Sequence, residues 1–374
     1  GNSVKILGYL SVFLCLTFLI ANYINIFLNL TVKKRSIYSL IIIIIAVGII
    51  ALCTDPYEGD DLSRYFIMID SFKTEGLNYI AQFPYKINII TTTLFYLVSL
   101  TNNSNLLTFI STSIFYISIF IYTNKVCKDV KESRYISLYF IMFASFIYLN
   151  QTISGVRFPL AIASFLLIFL FDAPKKIGYK LLYIIPVLIH TAALTLLLVV
   201  AMAEILTIFS DKNKLCKTLS FGMICLSYIG LLIGNFFPTG ILFLSDALER
   251  LKIYADPSFY LQFIDIRSMI CSWILFIIIV YLFYKFRDEI EKKYGSYYMN
   301  LTMSLILLCL GLLPFPLIVS RYQTILYIMS LVLFKEIGHL SKMKKNLITI
   351  VLVIICLGMF AYRLVNAYHY WRFY

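Results

Sequence analysis

Two arginines, a histidine and a pair of aspartates stand where they could do chemistry. Arg157 lies in Gly155-Val156-Arg157-Phe158-Pro159-Leu160-Ala161, at the start of an apolar run and with no acid nearby. Leu160, Ala161 and Ser164 follow it on one helical face, which is expected to leave room for a ligand. Arg321 follows a double-proline break, Pro314-Phe315-Pro316, and precedes Tyr322-Gln323. A guanidinium presents a planar fork of donors, keeps its charge, and grips phosphate through paired hydrogen bonds. At the centre of a membrane helix such a charge costs at least about 2.5–3.5 kcal/mol, so an unpaired one points to function. Broken backbone is tolerated at membrane depth where it lines a cavity, and the double proline fits that use. Arg250 ranks second, because Asp246 four residues earlier also fits a simple ion pair.

His190 precedes Thr191-Ala192-Ala193, and it is the His that falls in an apolar run. Counting about 1.5 Å per residue from the preceding lysines puts it roughly 15–20 Å above the inner boundary, in the outer half of the bilayer. A general base and a helix–helix hydrogen bond fit it equally. The densest polar cluster is Gly59-Asp60-Asp61-Leu62-Ser63-Arg64-Tyr65. If Asp60 starts a helix, Arg64 is its partner four residues on, and Tyr65 is that of Asp61. Helix capping and an exposed ion pair are the plain alternatives to sugar recognition or acid–base work. Adjacent aspartates point apart on a helix, so a metal site is not expected. Tyr57, Tyr65 and Tyr254 are candidate sugar contacts, with Arg64 beside them.

These groups must be held by a membrane bundle. Of 374 residues, 61% are hydrophobic, 17% aromatic and only 14% charged, with a net charge of +13. Soluble domains carry about a quarter charged residues. The composition therefore excludes a soluble enzyme, a disordered chain and a nucleic-acid-binding domain. The cysteines form neither a CxxC motif nor a pairing pattern. The first apolar block is as long as a span and lacks a small-residue cleavage site, so no cleavable signal peptide is expected.

Apolar runs predict about twelve transmembrane helices: Val4–Leu30, Ile37–Cys53, Leu106–Tyr122, Tyr135–Leu149, Arg157–Phe171, Ile177–Ile189, Ala192–Phe209, Leu219–Phe237, Phe263–Phe283, Tyr298–Leu313, Tyr322–Phe334 and Leu347–Leu364. The chain reads as a single integral membrane domain over residues 1–374. Lysine-rich loops recur between alternate runs, from Lys33-Lys34-Arg35 to Lys342–Lys345, and the positive-inside rule makes them cytoplasmic. Both termini are then outside. Residues 54–86 form an outer loop, 87–100 a re-entrant or interfacial helix, and 236–263 an outer amphipathic loop. The inner cations are mostly Lys. The outer ones are mostly Arg: Arg64, Arg157, Arg250, Arg267, Arg321, Arg363 and Arg372. Lys suffices to fix orientation, so an outer Arg excess suggests an anionic ligand there. Arg363 and Arg372 read instead as interfacial anchors among aromatics, and Arg267, next to Asp265, as structural.

The order of these pieces resembles the EpsG-like group of bacterial polysaccharide polymerases, which includes many Wzy O-antigen polymerases. It runs Gly59-Asp60 with Tyr65, Arg157 with Ala161, His190 with Ala192-Ala193, then Arg321 with Tyr322, and covers Cys53 to Tyr327. The group's Gly-x-Asp pattern aligns with Asp61, so either aspartate fits the role. The resemblance implies an all-α polytopic fold of the GT-C glycosyltransferase type, with a periplasmic-face site in the inner membrane. Donor and acceptor would both be oligosaccharides on undecaprenyl pyrophosphate. Arg157, Arg321 and Arg250 would hold the pyrophosphate, and His190, Asp61 or Asp60 would take the acceptor proton. No cofactor is expected; a chain-length regulator is a conceivable partner besides the lipid bilayer. A flippase or other transporter, an O-antigen ligase and a membrane O-acyltransferase are the competing classes.

Overall fold

The computed structural model describes residues 1–146, 149–170, 177–208, 212–234, 252–262, 265–367 and 373. Among them the secondary structure is helical, apart from one isolated bridge between Thr54 and Phe373. The residues group into two compact units, 1–197 with 356–374, and 198–355.

The first unit begins with two long apolar helices, α1 (Asn2–Leu28) and α2 (Lys33–Cys53). They pack on each other, and α2 packs on α5 (Asn105–Val126). Between α2 and α5 lie α3 (Asp61–Glu75) and α4 (Ile89–Ser99). Gly59, at φ 94°, makes the left-handed turn that starts α3, and such a turn favours glycine. Leu62, Tyr65, Ile69 and Phe72 are buried on one face of α3 at helical spacing. Phe72 meets the rings of Tyr79, Phe83 and Tyr96, an aromatic cluster that anchors α3 on α4.

Next come α6 (Ser133–Phe146), α7 (Leu149–Gly155) and α8 (Arg157–Leu170). In the bundle, Asn22 of α1 donates to Ser39 Oγ of α2 at 3.0 Å and accepts from Ser137 Oγ of α6 at 2.9 Å. Such interhelical hydrogen bonds supply association that lipid cannot. α9 (Ile177–Lys180), a short 3-10 turn and α10 (Ile184–Ile189) lead to a break at His190, after which α11 (Leu194–Ile208) resumes. The break separates the two runs predicted as Ile177–Ile189 and Ala192–Phe209.

The second unit contains α12 (Lys212–Gly234), the short α13 (Pro257–Tyr260), α14 (Ile266–Lys285), α15 (Arg287–Tyr294), α16 (Ser296–Gly311), α17 (Pro316–Met329) and α18 (Leu331–Glu336). Asp265 caps α14, accepting from the backbone N–H groups of Arg267 at 2.9 Å and Ser268 at 3.2 Å. α19 (Lys342–Ala367) is the last helix.

By length and apolarity, six helical segments could each cross a membrane: Asn2–Leu28, Lys33–Cys53, Asn105–Asp129, Thr191–Ile208, Ile266–Lys285 and Lys342–Tyr362. A seventh arises if α17 and the helix after it, bent by 42°, count as one broken span. The chain is thus an all-α polytopic membrane protein, and among the described residues the long spans are fewer than the twelve apolar runs. The difference has a physical cause. Among the described residues, α16 is a shorter apolar helix and one run breaks at His190, while parts of other runs, such as Phe171 and residues 235–237, lie outside the described residues. Residues 87–100 form the 11-residue α4, too short to span. Most of 236–263, including Arg250, lies outside the described residues.

Candidate anion-binding site

Arg157 opens α8 directly after Val156, which sits at φ 39° and is fully buried. A β-branched residue in the left-handed region is a strained outlier. It turns the chain sharply between α7 and α8 and delivers Arg157 at the new helix's first position. The predicted open face is instead packed: Leu160 is 7% exposed and Ala161 0%. α8 packs against α5 and α10.

Around the Arg157 guanidinium are aromatic and imidazole groups from three other segments. Its Cζ lies 3.4 Å from the centroid of the Tyr85 ring, a stacked cation–π contact, worth about 0.5–2 kcal/mol. Its Nε donates to Tyr65 Oη at 3.4 Å, and its Nη2 lies 3.5 Å from His190 Nε2. Among the described residues no carboxylate pairs with Arg157. Tyr65 is 4% exposed, wedged edge-on against Tyr85 and Phe95. Burial pushes its phenol above the usual range, against the opposing pull of Arg157, so it stays protonated.

His190 is positioned by the helix break. Its backbone is extended (φ −148°, ψ 123°), and its N–H still reaches Pro186 O at 2.9 Å. α4 satisfies carbonyls around the break. Asn88 Nδ2 donates to Val187 O at 3.0 Å and to Thr191 Oγ1 at 3.1 Å, and Thr91 Oγ1 donates to Ile189 O at 2.6 Å. Buried backbone groups are nearly always paired, and these two side chains make the broken helix tolerable. On the ring, Nδ1 accepts from Ala192 N–H at 3.0 Å, and Phe158 packs edge-on at 5.7 Å.

The aspartates sit at the start of α3. Arg64 pairs with Asp61, not with Asp60 as the four-residue spacing suggested, and both partners are largely exposed. Tyr65 turns inward to Arg157, so it is not the hydrogen-bonding partner expected for Asp61. The reason is the amphipathic face of α3, which buries Tyr65 and leaves Asp61 and Arg64 in solvent. Asp60 is half-buried. Desolvation, with Asp61 beside it, raises its carboxyl above the ordinary range, while Arg64 opposes this. Tyr57 is exposed.

Sequence reasoning missed Tyr85, Asn88 and Thr91. The signal available was the polarity of α4: a lipid-facing helix has no need of an asparagine just before it and three threonines in its first turns.

Arg321 and Tyr254 belong to the second unit. Arg321 is exposed on α17, which has Pro316 in its first turn, and Tyr254 packs edge-on against Phe259 at 5.7 Å. A cavity of about 430 Å³ is lined by Tyr228, Ala255, Tyr260, Met269, Trp273, Leu313, Pro314 and Pro316. The double-proline break thus lines a cavity, as its sequence suggested.

The chain is an all-α polytopic membrane protein, and among the described residues no carboxylate pairs with Arg157. The EpsG family model matches residues 92–374, and the chain belongs to the EpsG family, whose members are polysaccharide-polymerase-like membrane proteins. Arg157, His190 and Arg321 lie within the matched region; Asp60, Asp61, Tyr65 and Tyr85 precede it. No curated protein and no solved structure matches the chain significantly.

Proposed function

We propose that the protein polymerises O-antigen repeat units carried on undecaprenyl pyrophosphate, at the periplasmic face of the inner membrane. The growing glycan is the donor, and the non-reducing end of one lipid-linked unit is the acceptor. An acceptor hydroxyl oxygen bonds to the donor's anomeric carbon. The bond from that carbon to the pyrophosphate oxygen breaks, and its electron pair leaves with undecaprenyl pyrophosphate. The hydroxyl proton passes to Asp60 or Asp61.

One observation carries this reading. Arg157 is seated against Tyr85, Tyr65 and His190, and among the described residues no carboxylate pairs with it. A departing pyrophosphate develops negative charge, and preorganised donors in a water-poor site stabilise it without reorganising. Arg321 and Arg250 are further pyrophosphate-binding candidates, on the strength of the sequence pattern alone. Tyr57, Tyr254 and Arg64 are available to the sugars.

The test is a reconstitution. Purified protein in proteoliposomes with one synthetic lipid-linked repeat unit should yield a ladder of longer glycans, and a chelator should not abolish it. No ladder would overturn polymerisation. In cells, loss of the protein should leave single lipid-linked units exposed outside. Units trapped inside would indicate a flippase, and long chains accumulating on the carrier would indicate a ligase.

A further inference from the structure

The cavity of the second unit, about 430 Å³, has the size of a small-molecule site. Its walls include Tyr228 of α12, Tyr260 of α13, Met269 and Trp273 of α14, and Pro314 with Pro316 at the proline break. Among the described residues that line it, none is charged, so a phosphate would find no counter-charge there. We propose that this cavity is a saccharide subsite. A sugar ring of the lipid-linked unit stacks on Trp273, and the side-chain amide of Gln323 donates to one of its oxygens. That the sugar belongs to a lipid-linked unit rests on the polymerase reading above.

Depth favours a sugar. Lys212, at the start of α12, belongs to a loop that the lysine pattern makes cytoplasmic. Tyr228 lies about 24 Å further along that helix, at about 1.5 Å per residue. Met269 lies about as far from Lys285, at the other end of α14. In a hydrocarbon layer of about 30 Å, the cavity therefore stands near the outer boundary. The saccharide head of a lipid-linked unit, and not its prenyl tail, is at hand there.

The wall favours it too. One face of a pyranose presents C–H groups that pack on an aromatic ring, while its rim carries hydroxyls that need polar partners. Trp and Tyr serve both needs, with an apolar body and a polar tip. Trp273 is half-buried and braced edge-on by Phe276 at 5.1 Å.

The decisive feature is an unused donor beside that wall. Ser272 stands between Met269 and Trp273 on α14. Its Oγ donates to Gln323 Oε1 at 3.2 Å, and Tyr327 Oη donates to Ser272 O at 3.0 Å. Gln323 follows the lining Pro316 by about two turns of α17 and is 2% exposed. Its amide oxygen is thus engaged, yet its Nε2 has no partner among the described residues. A buried donor without an acceptor is costly. A sugar supplies acceptor oxygens, whereas a prenyl chain supplies none.

Two measurements test this. The chain has two tryptophans, so Trp371→Phe leaves Trp273 as the single reporter. That protein, in nanodiscs, is titrated with the repeat-unit oligosaccharide freed of its lipid pyrophosphate. Trp273 emission should change saturably, and undecaprenyl phosphate should neither cause nor block the change. No saturable change with the oligosaccharide overturns the proposal. So does a change caused by undecaprenyl phosphate, which would make the cavity a tail pocket. The second measurement is chain growth in proteoliposomes. Trp273→Leu and Gln323→Met should each raise KM for the lipid-linked unit about tenfold and leave kcat within about twofold. Methionine keeps the shape of glutamine and removes its polar atoms, so a merely structural role would leave KM unmoved. Unchanged KM in either variant, or a fall in kcat alone, overturns the proposal. Trp273→Phe keeps a ring and should lose less; it carries the comparison if Trp273→Leu does not fold. If wild type forms no ladder, the polymerase reading fails, while the titration still decides whether the cavity takes a sugar.

Discussion

Arg157 and Glu336 are both charged side chains drawn into helix packing, and their surroundings are opposite. Glu336 is fully buried on α18. It takes Lys293 Nζ at 2.6 Å on one oxygen and has His339 Nε2 at 3.3 Å from the other. Arg157 is half-buried and has a ring, a phenol and an imidazole around it, with no carboxylate paired to it among the described residues. A buried charge must be compensated, because taking it out of water unpaired is expensive. At Glu336 the compensation is internal: Lys293 answers the charge on one oxygen, although the other, Oε2, accepts no hydrogen bond among the described residues. At Arg157 no compensating carboxylate stands among the described residues, and under the proposed function the pyrophosphate supplies that charge.

The largest effect that could break this contrast is at Arg157. Arg157→Ala should reduce chain growth about 1,000-fold in the reconstituted assay. Arg157→Lys should recover little of it, since an ammonium neither stacks flat on Tyr85 nor offers a fork. Full activity of Arg157→Lys would reduce the site to a point charge and remove the reason for the aromatic seat. Next is the carboxylate pair. Asp60 is half-buried with its carboxyl raised, which makes it the stronger base; Asp61 is exposed and already paired with Arg64. Asp60→Asn should therefore cost about 100-fold in turnover, and Asp61→Asn much less. The reverse order would hand the acceptor proton to Asp61.

The structural cluster should respond in stability and not in turnover. Lys293 is about half-exposed and can reach water when its partner is lost, whereas Glu336 cannot. Lys293→Ala strands a buried carboxylate and should cost up to about 3 kcal/mol, seen as a lower melting temperature in detergent. Glu336→Gln removes the buried charge itself and should cost less. Activity per folded molecule should be unchanged in both. A loss of turnover at matched folding would show that this cluster, too, serves the reaction.

Much of this was legible in the sequence. Apolar runs announce a polytopic bundle because a membrane helix must be apolar along its whole length. Arg157 and His190 stood out because each is polar in an apolar run. The span count was not legible, because periodicity cannot tell a run that crosses the bilayer from one that breaks, as the run at His190 does. Partners set by tertiary packing were hidden as well. Arg64 could be paired with either aspartate by spacing alone, and only the buried face of α3 decides it. Tyr85 is 72 residues from Arg157 and no local pattern links them. The backbone N–H of Ala192 that meets the His190 ring was hidden too, visible only once the helix is known to break there.

Tyr85 gives the smallest and sharpest test of the comparison. Its ring carries no charge and makes no proton transfer, so any effect on the reaction must run through the guanidinium 3.4 Å above it. Tyr85→Phe keeps the stacking face and should leave chain growth near wild type. Tyr85→Leu removes the π-face and its cation–π attraction, worth about 0.5–2 kcal/mol, and should slow chain growth about 2- to 30-fold. The loss should vanish when Arg157 is already Ala, because there is then no cation to hold. A double-mutant cycle measures this directly. If the two losses simply add, Tyr85 acts on the sugar or on the fold, and the aromatic seat is not what orients the arginine.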